Sequence, residues 1–298
     1  SYAPGLEVYL QFDSLHNESI EMLRASPLKK IHQKAIERLN ELNIATTLVV
    51  TIRRGVNDDQ LGEIIDFAVK QPCIRGITFQ PVQVAGRLEN YQDGYQSERD
   101  RLTLTEVRRN ILQQSDLFLP EDIIPVPCHA DTIAMAYALK LPEQFIPLTG
   151  LIDPQALIQG GSNTISYEKE SGIHQHIFEL FSTHHSPQSQ PAALSQLIEA
   201  GNQPEIWQNL GYHNIFRIVI MEFIDAYSFD LRSIRKSCVH IAHPDGKRMI
   251  PFDTYNLFYR DELEQTVLNP IREKRQPMGG AISVKMVDPQ AIRTVDVS

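Results

Sequence analysis

The chain reads as an α/β protein built on a partial parallel (β/α) barrel, followed by a mixed, mainly helical C-terminal domain carrying a β-hairpin. Two observations carry this reading. The runs LEVYLQF (6–12), IATTLVVTI (44–52) and CIRGITFQPV (73–82) are apolar, β-branched and of strand length. Between and after them lie stretches of helical apolar spacing, long enough for crossovers that keep the strands parallel. Three such strands are too few to close a barrel. With no initiator Met and a strand within ten residues of Ser1, the sequence is expected to continue a barrel begun upstream.

Taken in order, the first strand ends at Phe12 on an Asp13-Ser14 turn. From Glu18 to Leu42 the residues Ile20, Leu23, Leu28, Ile31, Ile36 and Leu39 recur at helical spacing, and Pro27 predicts a break into two helices. The second strand runs to Ile52. The loop RRGVND then leads to a helix over 59–70, with Asn57 or Asp58 as the expected cap and Leu61, Ile64, Ile65 and Ala68 as its stripe. After the third strand and a polar loop over 83–102, LTLTEVRRNILQQ predicts a helix capped by Thr103 or Thr105.

After about residue 118 the rhythm changes, and the expected domains are 1–117 and 118–298. The stretches over 130–140, 172–181 and 214–228 read as helices, the last as the most apolar in the chain. STHHSPQSQP reads as a polar linker. CVHIAHPDGKRMIPF (238–252) reads as a hairpin turning at Pro244-Asp245-Gly246.

Composition excludes several classes. In 298 residues the formal charge is −9 and the pI near 5.6, which argues against a broad nucleic-acid surface. No apolar run approaches the ~20 residues of a membrane span. The three cysteines, Cys73, Cys128 and Cys238, are widely spaced and odd in number, a pattern of a reducing, cytoplasmic compartment and not of a disulfide framework.

In parallel α/β folds, ligands bind beyond the carboxyl ends of the strands. Gln11 to Ser14, Thr51 to Asp58 and Gln80 to Val82 should converge there. Asp13 and Asn57 serve equally well as turn and helix caps, and the residues alone leave both readings open.

The span EVYLQFDSL…GVND…FQPVQVAGR (7–87) resembles the second half of a radical SAM core. The order YLQFD, GVND, FQPV, GR is similar to tetraether-lipid-synthase-like radical SAM proteins. PVPCHAD, PLTGLIDP and SCVHIAHPDGKRMIPFDTYNLFYRD are similar to the C-terminal part of that group's bacterial members. The resemblance implies that YLQFD is the fourth of six barrel strands. It places the CxxxCxxC loop that ligates a [4Fe-4S] cluster before Ser1, since this sequence contains no such motif.

By position it also points to S-adenosyl-L-methionine (SAM) contacts at Gln11, Thr47 and Gln80, with Asp13 and Asn57 as secondary candidates. The implied activity is hydrogen abstraction from an unactivated carbon of a small-molecule or lipid-like substrate, with a reducing electron donor as partner. Cys128 and Cys238, each in a Cys-His context, are candidate metal ligands, although a cluster needs about four thiolates.

Two other readings stand beside this one. A different parallel α/β barrel enzyme, such as an aldolase, lacks support because Lys29, Lys30, Lys34 and Lys70 fall on helices and no glycine-rich phosphate loop follows a strand. A non-catalytic, partner-binding relative would use the exposed half-barrel edge.

Overall fold

A computed structural model describes residues 6–84, 96–126, 131–141, 144–147, 149, 214–235, 237 and 239–275. The three β-branched runs form strands β1 (Glu7–Gln11), β2 (Ala45–Ile52) and β3 (Ile74–Pro81). All pair in parallel, with Gln11 opposite Val49 and Thr51 opposite Gln80. Sequence and structure agree on the place, order and direction of these strands.

The sheet then continues. β7 (Ile215–Met221) lies parallel to β3, and β5 (Ile133–Lys140) lies antiparallel to β7. β4 (Ile124–Pro125) and β6 (Phe145–Pro147) both pair antiparallel with β5. The order along the sheet is β1-β2-β3-β7-β5-β4.

Two helices expected from the sequence, over 130–140 and 214–228, are therefore strands. A short apolar run does not distinguish a buried helix from a buried strand. In β7, Ile215, Ile218, Val219 and Ile220 are β-branched and buried, which suits an interior strand. In β5 the alternation is visible in retrospect. Ala134, Ala136 and Ala138 point to one side and enter the main core, and their small size lets the sheet pack closely there. Burial against β7 overrides alanine's preference for helix.

Alternation gives the sheet two unlike faces. Leu48, Val50, Ile52, Ile77, Phe79, Phe216, Ile218 and Ile220 form one core with Ile36 of α2 (Lys29–Glu41), Ile64, Ile65 and Ala68 of α3 (Leu61–Lys70), and Val107 and Ile111 of α5 (Leu104–Gln114). Each fully buried side chain of this size contributes about 1.5–3 kcal/mol. The other face carries Glu7, Gln11, Thr47, Thr51, Thr78, Gln80 and Arg217, as the strand registers require.

The helix ends refine the sequence reading. α1 (Asn17–Arg24) and α2 are separate, as Pro27 predicts. A single helical turn, α4 (Ser97–Asp100), precedes α5, which Thr103 caps in a full capping box with Glu106. Neither Asn57 nor Asp58 caps α3. Its first amides, of Leu61 and Gly62, donate instead to Gln114 Oε1 at 2.8 and 3.2 Å. Gln114 Nε2 in turn donates to the Asp58 carbonyl at 2.8 Å. This cap comes from a distant helix, so no local pattern announces it. At the other end of α3, Lys140 Nζ donates to the carbonyls of Ala68 and Gln71, which suits a cation at a helix C-terminus.

The expected hairpin is present as β8 (His240–Ala242) and β9 (Met249–Pro251), turning through Gly246 at φ 68°. Strands after residue 118 join the same sheet as β1–β3, so the sheet itself crosses the 117/118 boundary. Residues 1–257 form one compact unit. The second, 258–298, is described to Arg275 and contains helical segments Arg260–Leu263 and Asn269–Arg275 with a π-helical turn over Glu264–Leu268. The helix expected at 172–181 and the linker after it lie outside the described residues. No helix among the described residues is long and apolar enough to cross a membrane.

A Cβ on Gly62 would lie 2.1 Å from the Gln114 carbonyl oxygen, a backbone atom that cannot swing away. Gly62→Ala should therefore destabilise the fold by about 1–3 kcal/mol through forced separation of α3 and α5. Gln114→Ala should cost about 1–2 kcal/mol through loss of the cap. Urea denaturation of each variant reads both effects.

Candidate functional site

At the carboxyl end of β1 the chain turns sharply. Asp13 adopts a left-handed backbone, φ 62°, which costs an ordinary residue about 1–2 kcal/mol and which Asp tolerates better than most. Its carboxylate, fully buried, compensates by accepting from four donors. Arg24, the last residue of α1, donates Nε to Oδ2 at 2.6 Å and an Nη to Oδ1 at 3.0 Å. Gln11 Nε2 donates to Oδ1 at 2.6 Å, and the Thr51 amide donates to Oδ1 at 2.9 Å. Charge-assisted bonds of this kind are roughly twice as strong as neutral ones.

Asn57 is equally occupied. Its Oδ1 accepts from the Arg53 amide, and its Nδ2 donates to the Asp13 and Thr51 carbonyls at 2.9 and 2.8 Å. Asp13 and Asn57 thus tie the β1 and β2 loops together from within. Gln11, Thr51 and Gln80 are different, because each is partly exposed on the polar face at the end of its strand. Gln80 makes no side-chain hydrogen bond among the described residues.

Thr47 shares that face but lies near the amino end of β2, opposite Tyr9 and Gly76. Its hydroxyl donates to Glu7 Oε1 at 2.5 Å. Arg217, from β7, reaches over β3 to the same Glu7 oxygen at 2.8 Å and to the Tyr9 hydroxyl at 3.0 Å. Gly76 makes this reach possible, since a Cβ there would sit 2.6 Å from Arg217 Cγ. The structure therefore separates Thr47, in an ion-paired cluster, from Gln11 and Gln80 at the open edge.

The loops beyond the edge are joined by buried charges. Arg101 donates to Glu222 Oε1 at 2.9 Å, and Glu222 Oε2 accepts from the Leu104 amide at 2.9 Å. Asp225 accepts from the amides of Val84, Tyr227 and Ser228. These contacts fix the segments following β3 and β7 against the start of α5. Asp100 accepts from Arg99 at 2.7 Å and from the Gln96 amide at 2.9 Å, with Arg53 at 3.6 Å.

Cys73 is buried beneath the helical face of the sheet, where burial pushes its thiol up. Cys128 and Cys238, the candidate ligands read from the sequence, both lie outside the described residues. Among the described residues no group of three or more His, Cys, Asp or Glu is placed to hold a metal ion. The described residues thus do not supply a cluster site, while the unfilled polar atoms at the edge suit a small polar ligand.

Thr51 stands where the sequence places it, at the carboxyl end of β2, whereas Arg24 and Arg217 escape the sequence reading for different reasons. Arg217 was hidden by the helical reading of its strand, and Arg24 by the eleven residues that separate it from Asp13.

No family model matches the chain. Over an alignment 305 positions long, the chain is 28% identical to a 7,8-dihydro-6-hydroxymethylpterin dimethyltransferase of Methanocaldococcus jannaschii, covering 89% of this chain and 59% of that protein. The chain thus spans somewhat over half the length of that relative. By its name that relative is an enzyme, a dimethyltransferase acting on a pterin.

Arg99, the Gln96 amide and Arg53 hold the Asp100 carboxyl at about 2, below its ordinary 3.8. A carboxylate with a depressed folded pKa stabilises the fold above about pH 4 and loses that contribution as pH falls towards 2. Asp100→Asn should therefore flatten the fall in stability across that window, measured by denaturation at a series of pH values. An unchanged slope would contradict the assigned role of Asp100.

Proposed function

We propose that this chain is the SAM-binding and C-terminal portion of a radical SAM enzyme that transfers methyl groups to a polar heterocycle of the pterin class. The observation that carries the proposal is the polar sheet face. Parallel strands β1, β2 and β3 bring Gln11, Thr51 and Gln80 to one carboxyl edge, and the 28% identity to a pterin dimethyltransferase runs through 89% of the chain. The pterin class of the substrate follows the name of that relative, in place of the lipid-like chain suggested by the tetraether-lipid-synthase resemblance.

In this reading, the residues at the edge hold SAM. Gln11 and Gln80 offer amide groups, and Thr51 offers a hydroxyl. The Asp13–Arg24 pair and Asn57 keep the strand ends in place without touching the ligand. Bound SAM supplies the methyl group and the carbon–sulfur bonds on which the chemistry draws. The Arg101–Glu222–Asp225 contacts hold the loops that border the edge, so that the ligand meets fixed dipoles in place of mobile water.

The test is an assay of the full-length gene product with isotopically methyl-labelled SAM and 7,8-dihydro-6-hydroxymethylpterin under anaerobic conditions, after iron–sulfide reconstitution and with a low-potential reductant. A product carrying labelled methyl groups supports the proposal, and Gln80→Ala should weaken SAM binding about tenfold, the equivalent of one lost hydrogen bond. SAM binding without pterin methylation would overturn the substrate. No SAM binding would overturn the proposal entirely. The 298-residue chain alone, which contains no CxxxCxxC, should not cleave SAM.

A further inference from the structure

One row of residues crosses four strands on the polar face. The registers align Tyr9 of β1 with Thr47 of β2, Gly76 of β3 and Arg217 of β7. Neighbouring strands lie about 4.8 Å apart, so about 14 Å separates the backbones of Tyr9 and Arg217. Their side chains nevertheless meet, an Arg217 Nη donating to the Tyr9 hydroxyl at 3.0 Å. Both side chains must therefore lie down along the row. The residues between them allow it, because Gly76 has no side chain and the same Nη passes 3.4 Å from the small Thr47 hydroxyl.

The result is an aromatic ring laid over the sheet. Arg217, which holds its hydroxyl, is itself held by Glu7 at 2.8 Å. Tyr9 is still 55% exposed, so its hydroxyl is paired while its ring is uncovered. The next row towards the carboxyl edge reads Gln11, Val49, Thr78 and Val219. Neither valine belongs to the helix-facing core. They place an apolar band between the Arg217–Glu7 cluster and the polar strand ends. A tyrosine ring below two valines offers stacking and apolar contact, which suits the face of a flat ring.

We propose that Tyr9 is the platform on which the flat heterocycle of the substrate stacks, with Val49 beside it. The inference rests on the pterin reading and names the residue that recognises that substrate's ring. Two residues along a strand span about 7 Å, so a ring on Tyr9 lies one row below Gln11, which is assigned to SAM. Substrate and SAM are then neighbours that share no subsite. Tyr9 supplies binding and orientation only, and Arg217 keeps its ring flat against the row.

The experiment measures dissociation constants of 7,8-dihydro-6-hydroxymethylpterin and of SAM by calorimetry on the full-length protein, for the wild type, Tyr9→Leu and Tyr9→Phe. Leucine keeps an apolar side chain without a π face, and phenylalanine keeps the ring and loses only the hydroxyl. Tyr9→Leu should weaken the pterin about tenfold or more, the effect of one lost stacking partner, and leave SAM within about twofold. Tyr9→Phe should hold the pterin within about threefold of the wild type. Unchanged SAM binding also reports that both variants fold. Equal loss of the pterin in both variants would show that the hydroxyl acts and not the ring, and would overturn the inference. Parallel loss of SAM and pterin in Tyr9→Leu would overturn it too, because the ring would then serve SAM or the fold. Pterin binding untouched by Tyr9→Leu would overturn it while leaving the pterin reading standing. Failure of the wild type to bind the pterin would remove the pterin reading and the inference with it.

Discussion

The parallel register of β1 on β2 is the constraint on which the rest depends. With Gln11 opposite Val49, the odd-numbered residues of both strands share one face and Leu10, Leu48, Val50 and Ile52 share the other. A slip of one residue in either strand would turn Leu48 and Val50 away from α3 and bury Thr47 and Thr51 in the core. Asp13 guards this register directly, because one carboxylate oxygen accepts from both the Gln11 side chain and the Thr51 amide. The strained turn at Asp13, the Arg24 bond and the Asn57 bridge all follow from holding two strand ends in that relation.

From there the architecture builds outward. The apolar face takes α2, α3 and α5, and the fit between the last two is close enough that only glycine serves at position 62. The polar face divides into two zones. Towards the amino ends, Arg217, Glu7, Tyr9 and Thr47 satisfy one another across β7, β2 and β1. Towards the carboxyl ends, the side chains have unfilled hydrogen-bonding capacity. Internal pairing thus fills one end of this face, and open hydrogen-bonding capacity remains at the other.

Much of this was legible in the residues, and the limits of legibility are physical. The first three strands announced themselves by continuous β-branched runs, Pro27 marked the helix break, and Thr103 with Glu106 spelled out a capping box. β5 and β7 did not, because a short apolar segment owes its state to the neighbour it packs on, and that neighbour is remote in sequence. The cap of α3 escaped for the same reason, since Gln114 stands 53 residues from Leu61. At the site, Gln11 and Gln80 were visible as polar residues at strand ends. That Asp13 and Asn57 work inward depends on bonds that only the folded chain forms.

SAM binding at the carboxyl edge of β1, β2 and β3, on the polar face, is the central claim. The most direct measurement is a crystal structure of the full-length protein grown with SAM. Density for the nucleoside is expected over that edge, within hydrogen-bond distance of Gln11 Oε1, the Thr51 hydroxyl and the Gln80 amide, with Asp13 still held by Arg24. SAM bound elsewhere, or Asp13 released from Arg24 to meet the ligand itself, would contradict it.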